Sequence, residues 1–296
     1  MVGAVVAAAI WTPSLAWQAK HGWAMLEMSR SLRREHSGLG VGMAFLPLQF
    51  LLMNPVTAPV WLFGLLRLWR DASRYRPVAI AFVVVALTIA VVIGDRPYFL
   101  APMYTTLFAA GAMAFERKLA EAQARWSRRA AAGALVIGGL AAVPAALPVL
   151  PASVMATVPV QRVNYDLGEQ IGWPELSRTV AAAYRSLGRS DAVVVTSNYG
   201  EAGAVRRFGP PGMAIAAFSR QNTDWWYGPP PEDARAAVLV GFSHQRVERF
   251  WTDCQRAASI RNDAHVDNDE DGLPVWTCTG QRSPWSRIWP GLRDYG

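Results

Sequence analysis

The chain has 296 residues and a formal net charge of +7, with 52% hydrophobic and only 17% charged residues. A soluble domain carries roughly 25% charged residues, so the composition argues against an ordinary soluble enzyme. The positive charges lie between apolar runs and not on a polar surface interleaved with aromatic residues, which argues against a nucleic-acid partner.

The charge is unevenly divided between the two halves. Residues 1–150 hold 14 Lys and Arg and 6 Asp and Glu, whereas residues 151–296 hold 15 and 16. Basic loops between apolar runs are typical of membrane topology signals. We therefore predict a polytopic α-helical membrane domain over residues 1–150, followed by a small extracytoplasmic α/β domain over residues 151–296.

The first half contains one short apolar run and four longer ones. Residues 2–10 are too few for a span of about 20 residues, and we expect this partial span to end a helix that begins upstream. Residues 11–39 are polar and aromatic and are predicted to form an outer loop. The four predicted spans lie near residues 41–66, 78–93, 98–115 and 130–150.

The loop charges predict the orientation of these spans. Loops 67–76 and 116–129 carry four and five basic residues and should be cytoplasmic, which places loop 11–39 outside. The basic residues of this loop would then lie on the outer side of the membrane, where basic residues are usually rare. A bound anion such as a lipid phosphate would explain them, because Arg pairs well with phosphate oxygens. A solvated amphipathic helix would explain them equally well. These cations are Lys20, Arg30, Arg33 and Arg34.

A polar break lies between the second and third predicted spans. It runs from Gly94 to Tyr104 and contains Asp95, Arg96, Tyr98 and Tyr104. Ionisable groups at membrane depth are costly to hold and mark a candidate site.

The second half alternates strand and helix patterns. We predict helices over 173–187 and 244–258, and strands over 191–196, 213–218, 236–242 and 275–278. This alternation predicts a mainly parallel sheet. The two cysteines, Cys254 and Cys278, are predicted to form a disulfide because this half should be exported.

Two motifs in the second half are candidate binding loops. Asn198–Gly203 follows a strand and opens a helix, but it lacks the glycine pattern of a nucleotide loop, so a tight turn is the simpler interpretation. Asp267–Gly272 matches the start of a calcium loop, yet the twelfth position is Cys278 and not Glu. We therefore predict an exposed acidic turn, no metal site and no firmly implied cofactor, with a divalent metal left unsupported.

Several segments carry distinctive residues in a fixed order. They are Pro13–Gln18, His21–Trp23, Leu26-Glu27, Asn54–Trp61, Arg96–Pro102, Tyr104, Ser197–Gly203 and Trp226–Pro230. Together they resemble bacterial glycosyltransferases of the C-type fold. More narrowly, they look like the family 39 group, which is related to protein O-mannosyltransferases and to lipid A aminoarabinose transferases.

The resemblance implies a multi-pass enzyme of the bacterial inner membrane, in contact with membrane lipids, whose carboxyl-terminal domain is periplasmic or extracellular. It would move a sugar from a polyprenyl-phosphate donor to a lipid, glycan or protein acceptor on the outer face. Arg96 corresponds to the basic residue of the family's K-x-Y-Y-L-x-P motif, and would bind donor phosphate with Lys20 and Arg30. The cavity would be lined by Tyr98, Tyr104, His21 and Glu27.

One departure from the family is large. Its members begin with several more spans and carry an acidic catalytic motif in the first outer loop, which this chain lacks. We therefore expect the general base to lie upstream and the chain to be a carboxyl-terminal part of such an enzyme. The alternative is a non-enzymatic, membrane-anchored module that displays an exported α/β binding domain.

Overall fold

The computed structural model describes residues 2–35, 39–70, 74–93, 97–121, 125–158, 164–210 and 215–294. The chain divides into two compact units. The sheet unit contains Met1–Met28 and Pro144–Gly296, and the helical unit contains Ser29–Val143. The first 28 residues therefore pack with the carboxyl-terminal half, which the sequence patterns did not indicate.

Eight α-helices lie in the described residues before residue 160. They are α1 (Val2–Lys20), α2 (Ala24–Glu35), α3 (Leu39–Leu52), α4 (Ala58–Arg70), α5 (Arg76–Thr88), α6 (Ala101–Glu121), α7 (Arg125–Ala146) and α8 (Ala152–Met155). A π-helical turn at Ile89–Ile93 and 3-10 turns at Pro55–Thr57 and Pro97–Leu100 lie among them. Residues 11–20 continue α1 and residues 24–35 form α2, so most of the predicted outer loop is helical.

The prediction of a polytopic membrane domain with four spans is wrong for the residues that the structure describes. Two helices in this part of the chain are long and apolar enough to cross a membrane, Tyr98–Lys118 and Arg128–Ala146. The predicted span 78–93 is a 13-residue helix that ends in the π-helical turn.

The predicted span 41–66 is divided at Asn54. This residue has a φ of 61°, outside the helical range, and its side chain accepts a hydrogen bond from the Val56 N–H. Pro55 follows and has no N–H with which to continue a helix. The apolar run therefore forms two helices of 14 and 13 residues, each too short for a span of about 20 residues.

The core of the helical unit depends on two glycines where α4 meets α6. A Cβ at Gly64 would overlap the Leu107 carbonyl, and a Cβ at Gly111 would overlap the Val60 carbonyl. The two backbones therefore touch directly. Around this contact Trp61, Phe45, Phe82, Leu100 and Tyr104 are buried.

The sheet unit is built on five strands in the order β2-β1-β3-β5-β4. They are β1 (Ala192–Thr196), β2 (Ala217–Ser219), β3 (Ala236–Val240), β4 (Trp251–Ser259) and β5 (Pro274–Gln281). Besides α1 and α8, the unit contains the helices α9 (Trp173–Ser186), α10 (Tyr199–Phe208), α11 (His244–Phe250) and α12 (Trp285–Leu292). Two 3-10 helices, Tyr165–Gln170 and Asn222–Tyr227, complete the unit.

Alternating residues of the central strands supply two cores. Val194 and Val238 pack on one face with Leu176 and Val180 of α9. Leu239 packs on the other face, together with Val193 and Val195 and with the buried tryptophans of β4 and α12. This alternation is the period of two that a sheet covered on both faces requires.

The sheet is mixed, so the prediction of a mainly parallel sheet is wrong. β1 pairs in parallel with β2 and β3, whereas β5 is antiparallel to both β3 and β4. The predicted helix 244–258 ends at Phe250, and the residues that follow form the edge strand β4. Cys254 lies opposite Cys278 in this pairing, and a disulfide joins the two.

Candidate functional site

The residues that the sequence predicts to form one phosphate-binding and cavity-lining set fall into both units. Lys20, His21 and Glu27 belong to the sheet unit, whereas Arg30 belongs to the helical unit. Lys20 and Arg30 are both exposed. Arg96 lies outside the described residues.

The two tyrosines of the set differ in their surroundings. Tyr98 is exposed, but Tyr104 is only 2% exposed and donates a hydrogen bond of 3.1 Å to Gln49 Oε1. The Tyr104 ring meets Trp61 and Phe82 edge-on, each with a centroid distance of 5.3 Å. Tyr104 is therefore part of the helical core.

A tight turn after Lys20 positions His21 and Glu27. Gly22 and Trp23 both have left-handed backbone angles, with φ of 70° and 59°. The Trp23 N–H donates to the Gln18 carbonyl at 2.8 Å, which closes α1 in the manner of a Schellman turn. The Trp23 carbonyl then accepts from the Glu27 N–H at 3.1 Å, so α2 begins at once.

His21 lies in a cluster of rings at the end of α1. It stacks on Trp17 with a centroid distance of 4.2 Å and meets the edge of Trp226 at 4.8 Å. His21 Nδ1 lies 2.7 Å from the Trp17 carbonyl oxygen. Because a carbonyl only accepts, this contact assigns a proton to Nδ1.

An arginine from the end of the chain completes this arrangement. The guanidinium carbon of Arg293 lies 4.7 Å and 4.6 Å from the ring centroids of Trp225 and Trp226. Glu27 Oε2 lies 3.6 Å from Arg293 Nη2. The carboxylate and the two indole faces therefore surround one cation. We call Trp17, His21, Glu27, Trp225, Trp226 and Arg293 the aromatic–basic cluster.

The cluster rests on a rigid support. The indole N–H of Trp225 donates to the Trp289 carbonyl at 2.9 Å, and that of Trp289 donates to the Trp225 carbonyl at 3.1 Å. This reciprocal pair ties the 3-10 helix 222–227 to α12. Nearby, the Asp294 carboxylate accepts from Arg220 and, at 3.1 Å, from Arg246, which fixes the chain just after Arg293.

The carboxyl edge of the parallel strands is a second place where ligands often bind. Here it is filled by the protein itself. Glu201 is 1% exposed and accepts hydrogen bonds from Ser197 Oγ at 3.0 Å and from the Asn198 N–H at 3.2 Å. Gly241 has a φ of 75°, and a Cβ there would overlap Ser197 Oγ. Ser197 and Glu201 therefore fill the space at the carboxyl ends of β1 and β3.

Burial dominates the acid-base properties of this edge. It raises the pKa of Glu201 to about 7, against the smaller opposite effect of its hydrogen bonds. Burial also lowers the pKa of Arg220, which the Asp294 carboxylate partly offsets. Beyond the edge, Ser243, Gln245, Arg246 and Arg249 line a shallow open depression of about 300 Å³.

The acidic turn 267–272, predicted to be exposed, is exposed at Asp267 and Asp269 but buried at Asn268 and Glu270. Asn268 turns its side chain inward, accepting from the Asp271 N–H at 3.0 Å and donating to the Ile171 carbonyl at 2.8 Å. Among the described residues there is no group of three or more His, Cys, Asp or Glu side chains that could hold a metal ion.

The sequence patterns marked His21, Glu27 and Trp226 but not Arg293. Arg293 carries no local signal in the sequence, because its role arises only from the packing of the chain end against Trp225 and Trp226. Comparisons with protein-family models, with curated proteins and with solved structures gave no match.

Proposed function

We propose that this chain takes part in the transfer of a sugar from a polyprenyl-phosphate donor to an acceptor at the outer face of a membrane, with the aromatic–basic cluster in contact with the donor. The proposal rests on the edge-to-face contact between the His21 and Trp226 rings. His21–Trp23 and Trp226–Pro230 lie far apart in the chain, and the resemblance to glycosyltransferases rests on both segments.

The chemistry of the cluster fits a lipid-linked sugar phosphate. Indole faces stack on the apolar C–H face of a sugar ring and also contact isoprenoid chains. Lys20 is exposed in the last turn of α1 and directly precedes His21. An ammonium group so placed can pair with a phosphate as a point charge. The Glu27–Arg293 pair would hold the tryptophans in place beside it.

The test is a binding measurement on the full chain. A short-chain polyprenyl phosphate should quench tryptophan fluorescence, and the corresponding polyprenol should bind more weakly because it lacks the charge. Lys20→Ala should weaken binding of the phosphate by roughly tenfold, as expected for the loss of one charged contact. It should leave binding of the polyprenol unchanged.

A matched tryptophan pair controls this experiment. Trp17→Ala removes the ring that stacks on His21, whereas Trp11→Ala removes an exposed ring of the same helix, 63% accessible to solvent. Only the first should weaken binding of both lipids. Equal affinities for phosphate and alcohol in the native chain, or equal effects of the two tryptophan variants, would disprove the proposed donor contact.

The second candidate is a binding module without catalysis. The observation that favours it is that two carboxylates near the candidate surfaces are already engaged, Glu27 with Arg293 and Glu201 with Ser197 and Asn198. A transfer assay with a polyprenyl-phosphate sugar separates the candidates. Sugar transfer that Lys20→Ala reduces supports the enzyme, whereas donor binding without turnover supports the module.

A further inference from the structure

The shallow depression beside α11 belongs to a place in the sheet where two adjacent parallel strands send their helices to opposite faces. α10 follows β1 and packs through Ala202 into the core on one face, whereas α11 follows β3 and packs through Val247 into the core on the other. In open α/β sheets ligands bind outside the carboxyl ends of the strands at such a switch point. Ser197 and Glu201 fill the space directly at these strand ends. Ser243, in the connection that leaves β3, begins the depression.

The lining of the depression carries two guanidinium groups and no carboxylate. Its residues are Ser243, Gln245, Arg246 and Arg249. Arg246 Nη1 lies 3.1 Å from Asp294 Oδ2, but the same oxygen also accepts from Arg220, so one carboxylate serves two guanidinium groups. Among the residues that the structure describes, no carboxylate pairs with Arg249, whose guanidinium carbon lies 5.3 Å from the Phe250 ring centroid. The lining therefore has an excess of positive charge.

The neighbouring charged residues leave this excess in place. Glu248 lies on the same helix, but its carboxylate is 3.6 Å from His244 Nε2, and both side chains are exposed. Arg282 adds a further guanidinium group beside α11, because its Nε donates to the Glu248 carbonyl at 3.1 Å. The charged residues in these contacts are four arginines and two carboxylates. This surface therefore favours an anion.

The neutral residues of the lining add hydrogen-bond donors. A serine at an N-cap usually turns its hydroxyl to the first N–H groups of the helix, but the Ser243 side chain makes no such bond. Its hydroxyl and the amide of the exposed Gln245 are therefore available to a bound molecule. A guanidinium fork pairs with two phosphate oxygens, and hydroxyl and amide groups can donate to the others.

We propose that the depression binds a phosphate monoester, with Arg246 and Arg249 as its charged partners and Ser243 and Gln245 as its neutral ones. The volume of about 300 Å³ is at the lower end of small-molecule sites, which suits a phosphate group with a small organic part. Because the depression is open, the phosphate can belong to a soluble molecule or to a lipid headgroup. The site shares no residue with the aromatic–basic cluster and does not rest on the proposed donor contact.

Titration of the full chain with inorganic phosphate at constant ionic strength tests the site, with NMR amide shifts as the readout. The amides of residues 243–249 should shift and saturate. Arg249→Ala should weaken the affinity for phosphate by roughly tenfold, as expected for the loss of one charged contact. Arg249→Lys keeps the charge but loses the fork, so its affinity should lie between those of the native chain and Arg249→Ala. It serves as the test if Arg249→Ala does not fold.

A matched control removes one positive charge elsewhere on the sheet unit. Arg185→Ala replaces an exposed arginine of α9, which packs on the opposite face of the sheet from α11, and it should leave the affinity for phosphate unchanged. The proposal is overturned if the shifts do not saturate. It is also overturned if Arg185→Ala weakens binding as much as Arg249→Ala, because phosphate would then act only as a screening counterion.

Two further probes identify the source of the phosphate. Glycerol 3-phosphate is the soluble probe, and phosphatidylcholine vesicles with and without phosphatidic acid are the membrane probe. Binding of glycerol 3-phosphate that Arg249→Ala weakens supports the site with a soluble ligand. Retention on vesicles that requires phosphatidic acid, and that the same variant weakens, supports it with a lipid headgroup. Failure of both probes to bind would overturn the proposal.

Discussion

Replacing Glu201 by Gln should stabilise the sheet unit at neutral and alkaline pH and have little effect in acid. The variant keeps the size of the side chain, and its amide oxygen can still accept from the Asn198 N–H or from Ser197 Oγ. What it removes is the cost of ionising a carboxyl group that is 1% exposed. The effect must therefore depend on pH.

The magnitude follows from the pKa of Glu201 in the folded chain. Burial raises it from an ordinary value of 4.5 to about 7, and each pKa unit corresponds to about 1.4 kcal/mol. Because the folded pKa is the higher one, the folded state holds the proton more tightly. The free energy of unfolding of the native chain should be at its full value below about pH 4.5, where Glu201 is protonated in both states. It should fall by about 3 kcal/mol as the pH rises through 7.

The assay is hydrogen exchange at β1 and α10, compared between the native chain and Glu201→Gln across this pH range. The variant should match the native chain at about pH 4 and exceed it by about 3 kcal/mol at about pH 8. Glu232→Gln is a control for which we expect the opposite change in stability. The pKa of Glu232 is lowered by the Ser286 side chain and by the N–H groups of Ser286 and Trp285, which donate to its carboxylate. That variant should therefore lose stability above the ordinary pKa and not below it. A Glu201→Gln effect of the same size at both pH values would refute the reasoning.

Two further predictions concern packing and covalent structure. Gly111→Ala should destabilise the contact of α4 with α6 by about 1–3 kcal/mol, because the new methyl group overlaps the Val60 carbonyl. Gly139→Ala, in open space on α7, should be neutral or stabilising, and thermal unfolding of the two variants checks the difference. Removing the disulfide with Cys254→Ser and Cys278→Ser together should cost about 3 kcal/mol for its 24-residue separation. Urea unfolding of this variant should match that of the reduced native chain, and unchanged midpoints would contradict the prediction.

Periodicity predicted most of the sheet unit because its signals are local. The helix predicted over 173–187 is α9, and the runs 191–196 and 236–242 contain β1 and β3. The tight turn predicted at Asn198–Gly203 is a capping box at the start of α10. These elements depend on apolar alternation and on capping side chains, which a few neighbouring residues determine.

Two predictions fail for different reasons, one because of non-local strand pairing and one because of a local break in an apolar run. Residues 251–258 were predicted to be helical, but their backbone pairs with β5 and buries Trp251 against α12. The apolar run 41–66 predicts one span despite its prolines, but the helix is interrupted at Asn54. Hydropathy averages over a window and is insensitive to one residue that ends a helix.

Local sequence alone accounts for the uneven charge of the two halves and for the central strands with their capping turn. Three features emerge only from the folded chain: β5 runs antiparallel to its neighbours β3 and β4, Tyr104 is buried in a core, and Arg293 lies against Trp225 and Trp226 beside Glu27. The physical reason is distance along the chain. Helix propensity and capping depend on a few neighbouring residues. Ring stacking, ion pairing and strand pairing join residues that are far apart in the chain, and no local pattern indicates which of them will meet.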